Sequence, residues 1–194
     1  MHEVLIKDYL DEQIIGHISH DATAIVGNDK SAKKREKQKD VKAVKRGRHK
    51  KGQERPKEEK GIERQVGQTY EEAIKELPKL CDIGCKKNSQ GYIETWIGYK
   101  LHVDTSDCGL PVAAVLTSAS LHDSQVAIPM MKMTSERVTY LYDLMDSAYD
   151  AQPIHDTSEV LGHVPIIDRN ALNFWLKEWE RDAFIKFITV STIP

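Results

Sequence analysis

An acidic residue at the end of an apolar run is the feature that most constrains the fold of this 194-residue chain. The run VTYLYDLM occupies positions 138–145, and Asp146 and a turn-prone SAYD segment follow it. A second unit of this kind lies far upstream, where Asp21 stands within the apolar segment 12–26. Carboxylates on neighbouring strands can converge on divalent cations, and hard oxygen ligands suit Mg²⁺ or Mn²⁺. The pattern therefore predicts two strands that bring a pair of acids together.

The charge of the chain is distributed unevenly. Its formal net charge is -2, but residues 30–60 hold 15 Lys or Arg against 5 Asp or Glu. A cationic block on an acidic body is typical of an arm that binds a polyanion, and a solvated linker is the alternative. The low apolar content of residues 28–66 predicts disorder in the absence of a ligand. The residues expected to contact DNA lie in the most basic part: Lys45, Arg46, Arg48, Lys50 and Lys51.

The N-terminal region has no secretory signal. Residues 1–20 contain Asp8, Asp11 and Glu12 and lack a long apolar core. No run reaches the roughly 18 apolar residues from which a membrane-spanning helix is read. A reducing, cytoplasmic location is expected.

Apolar patterning predicts strands that alternate with helices after a long insertion. Strands are expected at residues 12–26, 92–107, 110–120, 138–146 and 163–168. Helices are expected at residues 69–80, 121–137 and 171–188 and within 151–162. This order is that of an RNase H-like fold, an α/β mixed sheet flanked by helices, here with a long basic insertion after the first strand. The first and fourth strands are neighbours in such a sheet, so Asp21 and Asp146 should lie side by side.

Other polar residues have structural explanations at this stage. Thr69 and Glu72 form a capping-box pattern at the start of the first helix. Asp123 or Ser124 is expected to cap the next helix, which Pro129 should kink or delay. Three histidines are expected on strand surfaces and two acids near a hairpin turn: His17, His20, His102, Asp104 and Asp107.

Several segments resemble the bacterial insertion-sequence transposases of the Asp-Asp-Glu (DDE) type. They are HISHDATAI, GYIETWIGYKLHVD, LPVAAVLTSASLHDSQVAIP, YLYDLMDSAYDA and HVPIIDRN, and the resemblance covers about residues 12–170. It implies that Asp21 and Asp146 are the first two catalytic acids and bind Mg²⁺ or Mn²⁺ in a two-metal site for DNA cleavage and strand transfer. The implied partner is double-stranded DNA, as transposon ends and target, in the bacterial nucleoid, and a homodimer is compatible with this reading.

The resemblance also suggests domain boundaries. Residues 1–27 would begin the catalytic domain, 28–90 would be the basic insertion, 91–170 the remainder of the domain, and 171–194 a divergent C-terminal helix. The chain is therefore expected to be a copy truncated at both ends and inactive alone.

The third acid of the family, a Glu on the helix after the last strand, has no matching context here. Glu180 lies on the predicted helix 171–188, within the divergent segment. Two alternatives stay open: a DNA-binding fragment without catalysis, and a nuclease of the same fold that uses Glu180.

Overall fold

The structure is a computed structural model that describes residues 14–28, 60–87 and 90–168, together with Val4, Ile6, Tyr9 and Leu10. Six strands form one sheet: β1 Ile15–Val26, β2 Asp82–Lys87, β3 Ile93–Ser106, β4 Pro111–Ser118, β5 Tyr140–Met145 and β6 Val164–Ile167. Four helices accompany them in the described part of the chain: α1 Gly61–Gly67, α2 Tyr70–Glu76, α3 Ser124–Ser135 and α4 Gln152–Leu161. A single 3₁₀ turn, Ser147–Tyr149, follows β5.

The sheet is mixed, with the order β2-β3-β1-β5-β6 and with β4 paired to β3. Strands β1, β3 and β4 pair antiparallel, and β1, β5 and β6 pair parallel. Helix α3 connects β4 to β5, and α4 connects β5 to β6. The predicted RNase H-like α/β fold is confirmed, and β1 and the strand that precedes Asp146 are neighbours. The strand before Asp146 is the fifth of the chain, whereas the sequence predicts it as the fourth. The difference is β2, which was not predicted.

The hydrophobic core lies between the sheet and α3. This helix buries residues on most of its circumference: Val126, Ala127, Ile128, Pro129, Met130, Met131, Met133 and Thr134. One side packs with Leu77 and with Ala113 and Val115 of β4. The other side packs with Met145 and Ile154. Each fully buried side chain of this size stabilises the fold by about 1.5–3 kcal/mol, so α3 anchors both halves of the sheet.

Helix α1 corrects the prediction that residues 28–66 are disordered. Its own sequence has little helical signal, but Lys132 of α3 donates to the carbonyl oxygens of Gln65, Val66 and Gln68 at 2.6–2.9 Å. These contacts satisfy carbonyls at the helix end, where helical donors are absent. Tertiary contact therefore orders this segment. Residues 29–59 and the predicted helix 171–188 lie outside the described residues.

Pro129 lies inside α3, which begins at Ser124 and continues to Ser135, so the predicted late start is wrong. A proline cannot donate a hydrogen bond to the carbonyl four residues earlier, here that of Gln125. Nε2 of Gln65 on α1 donates to this oxygen at 2.8 Å. A side chain from α1 thus replaces the hydrogen bond that the proline removes.

Two further local predictions agree with the structure, the capping box of α2 and the turn that contains Asp107. Thr69 and Glu72 form the predicted capping box of α2. Asp107 lies in the turn between β3 and β4, where its Oδ2 accepts the Gly16 N–H at 2.8 Å. No helix in the described ranges is long and apolar enough to span a membrane.

Candidate active site

Asp21 and Asp146 are both exposed, and each is held by a backbone N–H. Oδ1 of Asp21 accepts from the amide of Ala22 at 2.7 Å. Oδ1 of Asp146 accepts from the amide of Ala148 at 2.9 Å, because Asp146 caps the 3₁₀ turn after β5. Neither Oδ2 atom accepts a hydrogen bond from a described residue. Each carboxylate is therefore oriented through one oxygen and keeps the other available.

The parallel pairing of β1 with β5 brings these two acids together. Ser19 lies opposite Leu144, and the register is constant along the pair from Ile15 and Tyr140. Asp21 and Asp146 each stand two residues beyond Ser19 and Leu144, so the same register places them abreast. Adjacent strands are about 4.8 Å apart, a separation that two carboxylates can span to one cation.

Tyr149 lies near several acidic side chains at this edge of the sheet. Tyr149 is buried and lines a partly open pocket together with Asp21 and His102. Burial is the largest cause of a raised pKa for Tyr149, followed by the negative charges of Asp123, Asp146, Asp104 and Asp21. Carboxylates from four segments of the chain therefore lie near this phenol, which stays neutral.

The carboxylate oxygens of Asp21 and Asp146 are ligands that a hard divalent cation prefers, but the described residues provide few such oxygens. Mg²⁺ is commonly held by one or two carboxylates, with water and substrate phosphate as its other ligands. Asp21 and Asp146 can provide that pair. No group of three or more His, Cys, Asp or Glu able to hold a metal occurs in ranges 14–28, 60–87 and 90–168. Glu180 lies outside these ranges.

His20 is buried, which corrects its prediction as a surface residue. Its Nδ1 lies 2.6 Å from Oδ1 of Asp104, and its Nε2 lies 2.8 Å from Oδ1 of Asp143. Asp104 lies near the predicted turn, three residues before Asp107, but it is buried within β3. Burial alone would lower the pKa of His20, but the two carboxylates outweigh it and raise that pKa to about 10. The imidazolium therefore donates to both carboxylates.

The two carboxylates have further donors. Oδ2 of Asp104 accepts from Thr134 of α3 at 2.5 Å. Asp143 accepts from Ser158 of α4 at 2.5 Å and from the Tyr140 hydroxyl at 2.9 Å. Burial opposes ionisation of Asp143, but the His163 ring nitrogen 3.5 Å away and hydrogen bonds from His20 and Ser158 hold its pKa below the usual range. This network, hereafter the His20 network, joins β1, β3 and β5 to both α3 and α4.

His102 is also buried, which corrects its prediction as a strand-surface residue, and it lines the same pocket as Asp21. Nε2 is 3.0 Å from the hydroxyl of Thr117, while Nδ1 has no hydrogen-bond partner among described residues. Burial lowers the pKa of His102 to about 4, so the ring is neutral near pH 7.

Asp123 is the N-cap residue of α3, one of the two predicted positions, but its side chain makes no capping hydrogen bond. Its Oδ1 accepts from Nζ of Lys100 at 2.9 Å. Lys100 also donates to the Leu121 carbonyl at 2.8 Å, so the cation fixes the segment that leads into α3. Asp123 has αR backbone angles, whereas a capping residue is usually extended, and this explains why its side chain turns to Lys100 instead.

A family model described as "Transposase DDE domain" matches residues 12–177. The chain belongs to the transposase DDE domain family. The match covers most of this transposase domain and runs from the start of β1 past β6. No curated protein and no solved structure matches the sequence. Family membership connects the domain with transposition-related DNA cleavage and makes DNA the implied partner.

Sequence reasoning missed the His20 network in the transposase domain. A usable signal was present, because Asp143 interrupts an otherwise apolar strand and a fully buried Asp nearly always has a partner. The identity of that partner was not accessible, since His20 lies 123 residues away. Lys45, Arg46, Arg48, Lys50 and Lys51 lie outside the described residues.

Proposed function

We propose that Asp21 and Asp146 of this transposase domain hold Mg²⁺ or Mn²⁺ for the cleavage and transfer of DNA strands. One observation carries the proposal: the register of β1 and β5 is constant from Ile15 and Tyr140 to Ser19 and Leu144, and its continuation by two residues would bring Asp21 and Asp146 abreast. Each has an oxygen that no described residue engages. Two carboxylates on rigid neighbouring strands are sufficient protein ligands for a hydrated Mg²⁺ that also binds phosphate.

Such ions, when bound, activate an attacking water or 3′-hydroxyl and stabilise the departing oxygen of a phosphodiester. The chain itself holds and orients the ligands. The N–H groups of Ala22 and Ala148 fix one oxygen of each carboxylate. Because Tyr149 stays un-ionised, it adds no negative charge beside the phosphate that approaches.

Nicking of supercoiled plasmid by the purified chain tests this function. With Mn²⁺ or Mg²⁺ the parent should nick, and Asp146→Asn should lose the activity because it removes a ligand charge. Asp156→Asn is the matched control, since Asp156 is an exposed acid on α4 that bonds only Gln152. Equal metal-dependent nicking by the parent and by Asp146→Asn would sink the proposal.

DNA contact is proposed for the basic segment that includes Lys45, Arg46, Arg48, Lys50 and Lys51. The support is its charge, because Lys and Arg neutralise phosphates and release counterions. Replacing these five residues with Gln should flatten the dependence of log K on log salt by about 0.9 for each lost phosphate contact. An unchanged salt slope would contradict this assignment. Light scattering of the DNA complex would test the predicted homodimer.

A DNA-binding domain without catalysis is the second candidate. The observation that favours it is the lack of a third metal-ligating acid among the described residues. In this case the parent binds DNA and does not nick it. A nuclease that completes its site with Glu180 gives the opposite result, and its nicking should fall sharply in Glu180→Gln.

A further inference from the structure

The His20 network is adjacent in the chain to a proposed metal ligand. His20 precedes Asp21 on β1, and side chains of successive strand residues point to opposite faces. His20 is buried while Asp21 is exposed, and both residues line the same partly open pocket. On β5, Asp143 is three residues before Asp146. Both acids are thus carried by strands that this network connects.

The contacts of His20 hold β1 from both of its edges. Asp104 is the residue directly opposite His20 on the antiparallel neighbour β3. Asp143 stands on the parallel neighbour β5, opposite Ile18. One ring nitrogen bonds to each side, at 2.6 Å and 2.8 Å. A one-residue slip of β1 would remove both contacts and would turn Asp21 toward the core, since a slip exchanges the two faces of a strand.

Stability alone is a weak explanation for such a network. Removing two carboxylates and an imidazolium from water costs free energy, and apolar residues of similar size often serve a core equally well. Buried polar groups are best attested as devices that specify register. The pairing of β1 with β5 needs a device of this kind, because its paired residues end at Ser19 and Leu144, two residues before Asp21 and Asp146.

We infer that His20 is a positioning residue, which locks the register of β1 against β3 and β5 so that Asp21 and Asp146 stand abreast. The inference rests on the proposed function, because its expected consequence is a change in metal binding. The locked register itself rests on the contacts that His20 makes with β3 and β5. His20 does not touch the metal in this arrangement. It acts through the backbone of the strand that carries Asp21.

The test compares His20→Gln with His17→Gln in the full chain. His17 lies on the same strand, and its side chain makes no hydrogen bond to a described residue, so it is the matched control. Mn²⁺ affinity is measured by electron paramagnetic resonance at a temperature where every variant is folded. Amide hydrogen exchange in metal-free buffer reports the β1–β5 pairing at Ser19 and Leu144, with β4 amides as an internal reference.

We expect His20→Gln to weaken Mn²⁺ binding by about tenfold or more, as loss of supporting contacts does at other metal sites. Exchange should accelerate at Ser19 and Leu144 and stay unchanged in β4. His17→Gln should match the parent in both measurements. If His20→Gln does not fold, Ser158→Ala removes one donor to Asp143 and should shift both readouts in the same direction by a smaller factor.

Two results overturn the inference. One is a lower melting temperature with Mn²⁺ affinity and β1–β5 exchange within about twofold of the parent, because a merely structural role predicts this. The other is uniform acceleration of exchange across all strands. A parent that binds no Mn²⁺ through Asp21 and Asp146 would instead refute the proposed function, and the exchange measurement would still decide the role of His20.

Discussion

Ser19 of β1 lies opposite Leu144 of β5, and two residues further along each strand stands a candidate metal ligand. If Asp21 and Asp146 share an ion, their contributions to its binding are not independent. Asp21→Asn and Asp146→Asn should each weaken Mn²⁺ binding by at least about tenfold, and the double variant should be little weaker than the weaker single variant. Titration calorimetry with Mn²⁺ measures this, with Asp156→Asn as the control that leaves affinity unchanged.

Additive losses in the double variant would show that the two acids bind different ions. That result would contradict the proposal of a shared ion and would not contradict the fold. Residues that act as one unit are non-additive, so the distinction does not depend on the absolute affinity.

Local patterns were sufficient for the parts of the fold that are strongly periodic. The predicted strands at 92–107 and 110–120 are β3 and β4, and the turn between them is in place. The acid pair was also predictable, because an RNase H-like order makes the two strands neighbours. The roles of Asp21 and Asp146 as metal ligands stay predictions.

The missed parts depend on distant contacts. Strand β2 carries no alternation of apolar residues, since Ile83 is exposed and Gly84 is the buried position. That glycine is required by the Trp96 ring opposite it on β3, which occupies the space of a Cβ atom. His20 was misassigned because burial of a histidine depends on Asp104 and Asp143, which only the folded sheet brings near it.

His102 should make the protein less stable in mild acid. Its pKa is about 4 when folded and 6.5 in the ordinary state, so the unfolded chain takes up the proton first as pH falls. Stability from the neutral ring is fully present above pH 6.5 and is lost as pH falls toward 4, by up to about 3 kcal/mol. The groups nearest the ring are Asp123, which opposes the shift, and Lys100, which adds to it. Urea unfolding from pH 4 to 6.5 in EDTA measures the loss, and His102→Gln should lack it.

His20 should make the protein less stable as the pH rises into the alkaline range. Its folded pKa of about 10 lies above the ordinary 6.5, so the folded state keeps a proton that the unfolded state releases. Stability is fully present below pH 6.5 and falls as pH rises toward 10, with a slope of up to about 1.4 kcal/mol per pH unit. Asp104 and Asp143 are the charged groups that face the ring.

Urea unfolding from pH 6.5 to 10 measures this loss of stability at alkaline pH. His17→Gln should lose stability as the parent does, and His20→Gln should not show this pH dependence. With both histidines intact, the two slopes meet near pH 6.5, where stability should be maximal. An alkaline slope that is the same in His20→Gln and the parent would show that the ring does not hold its proton in the folded state.

Gln65 and Pro129 should be coupled through the carbonyl of Gln125. Gln65→Leu removes the donor at 2.8 Å from this part-buried oxygen, and loss of such a hydrogen bond costs about 0.5–1.5 kcal/mol. In a Pro129→Ala background the new backbone N–H can donate to the same oxygen, so Gln65→Leu should cost less there. A double-mutant cycle by urea unfolding should give a coupling of at least about 0.5 kcal/mol. Equal costs in the two backgrounds would mean that Gln65 stabilises α1 by packing alone and does not compensate for the proline.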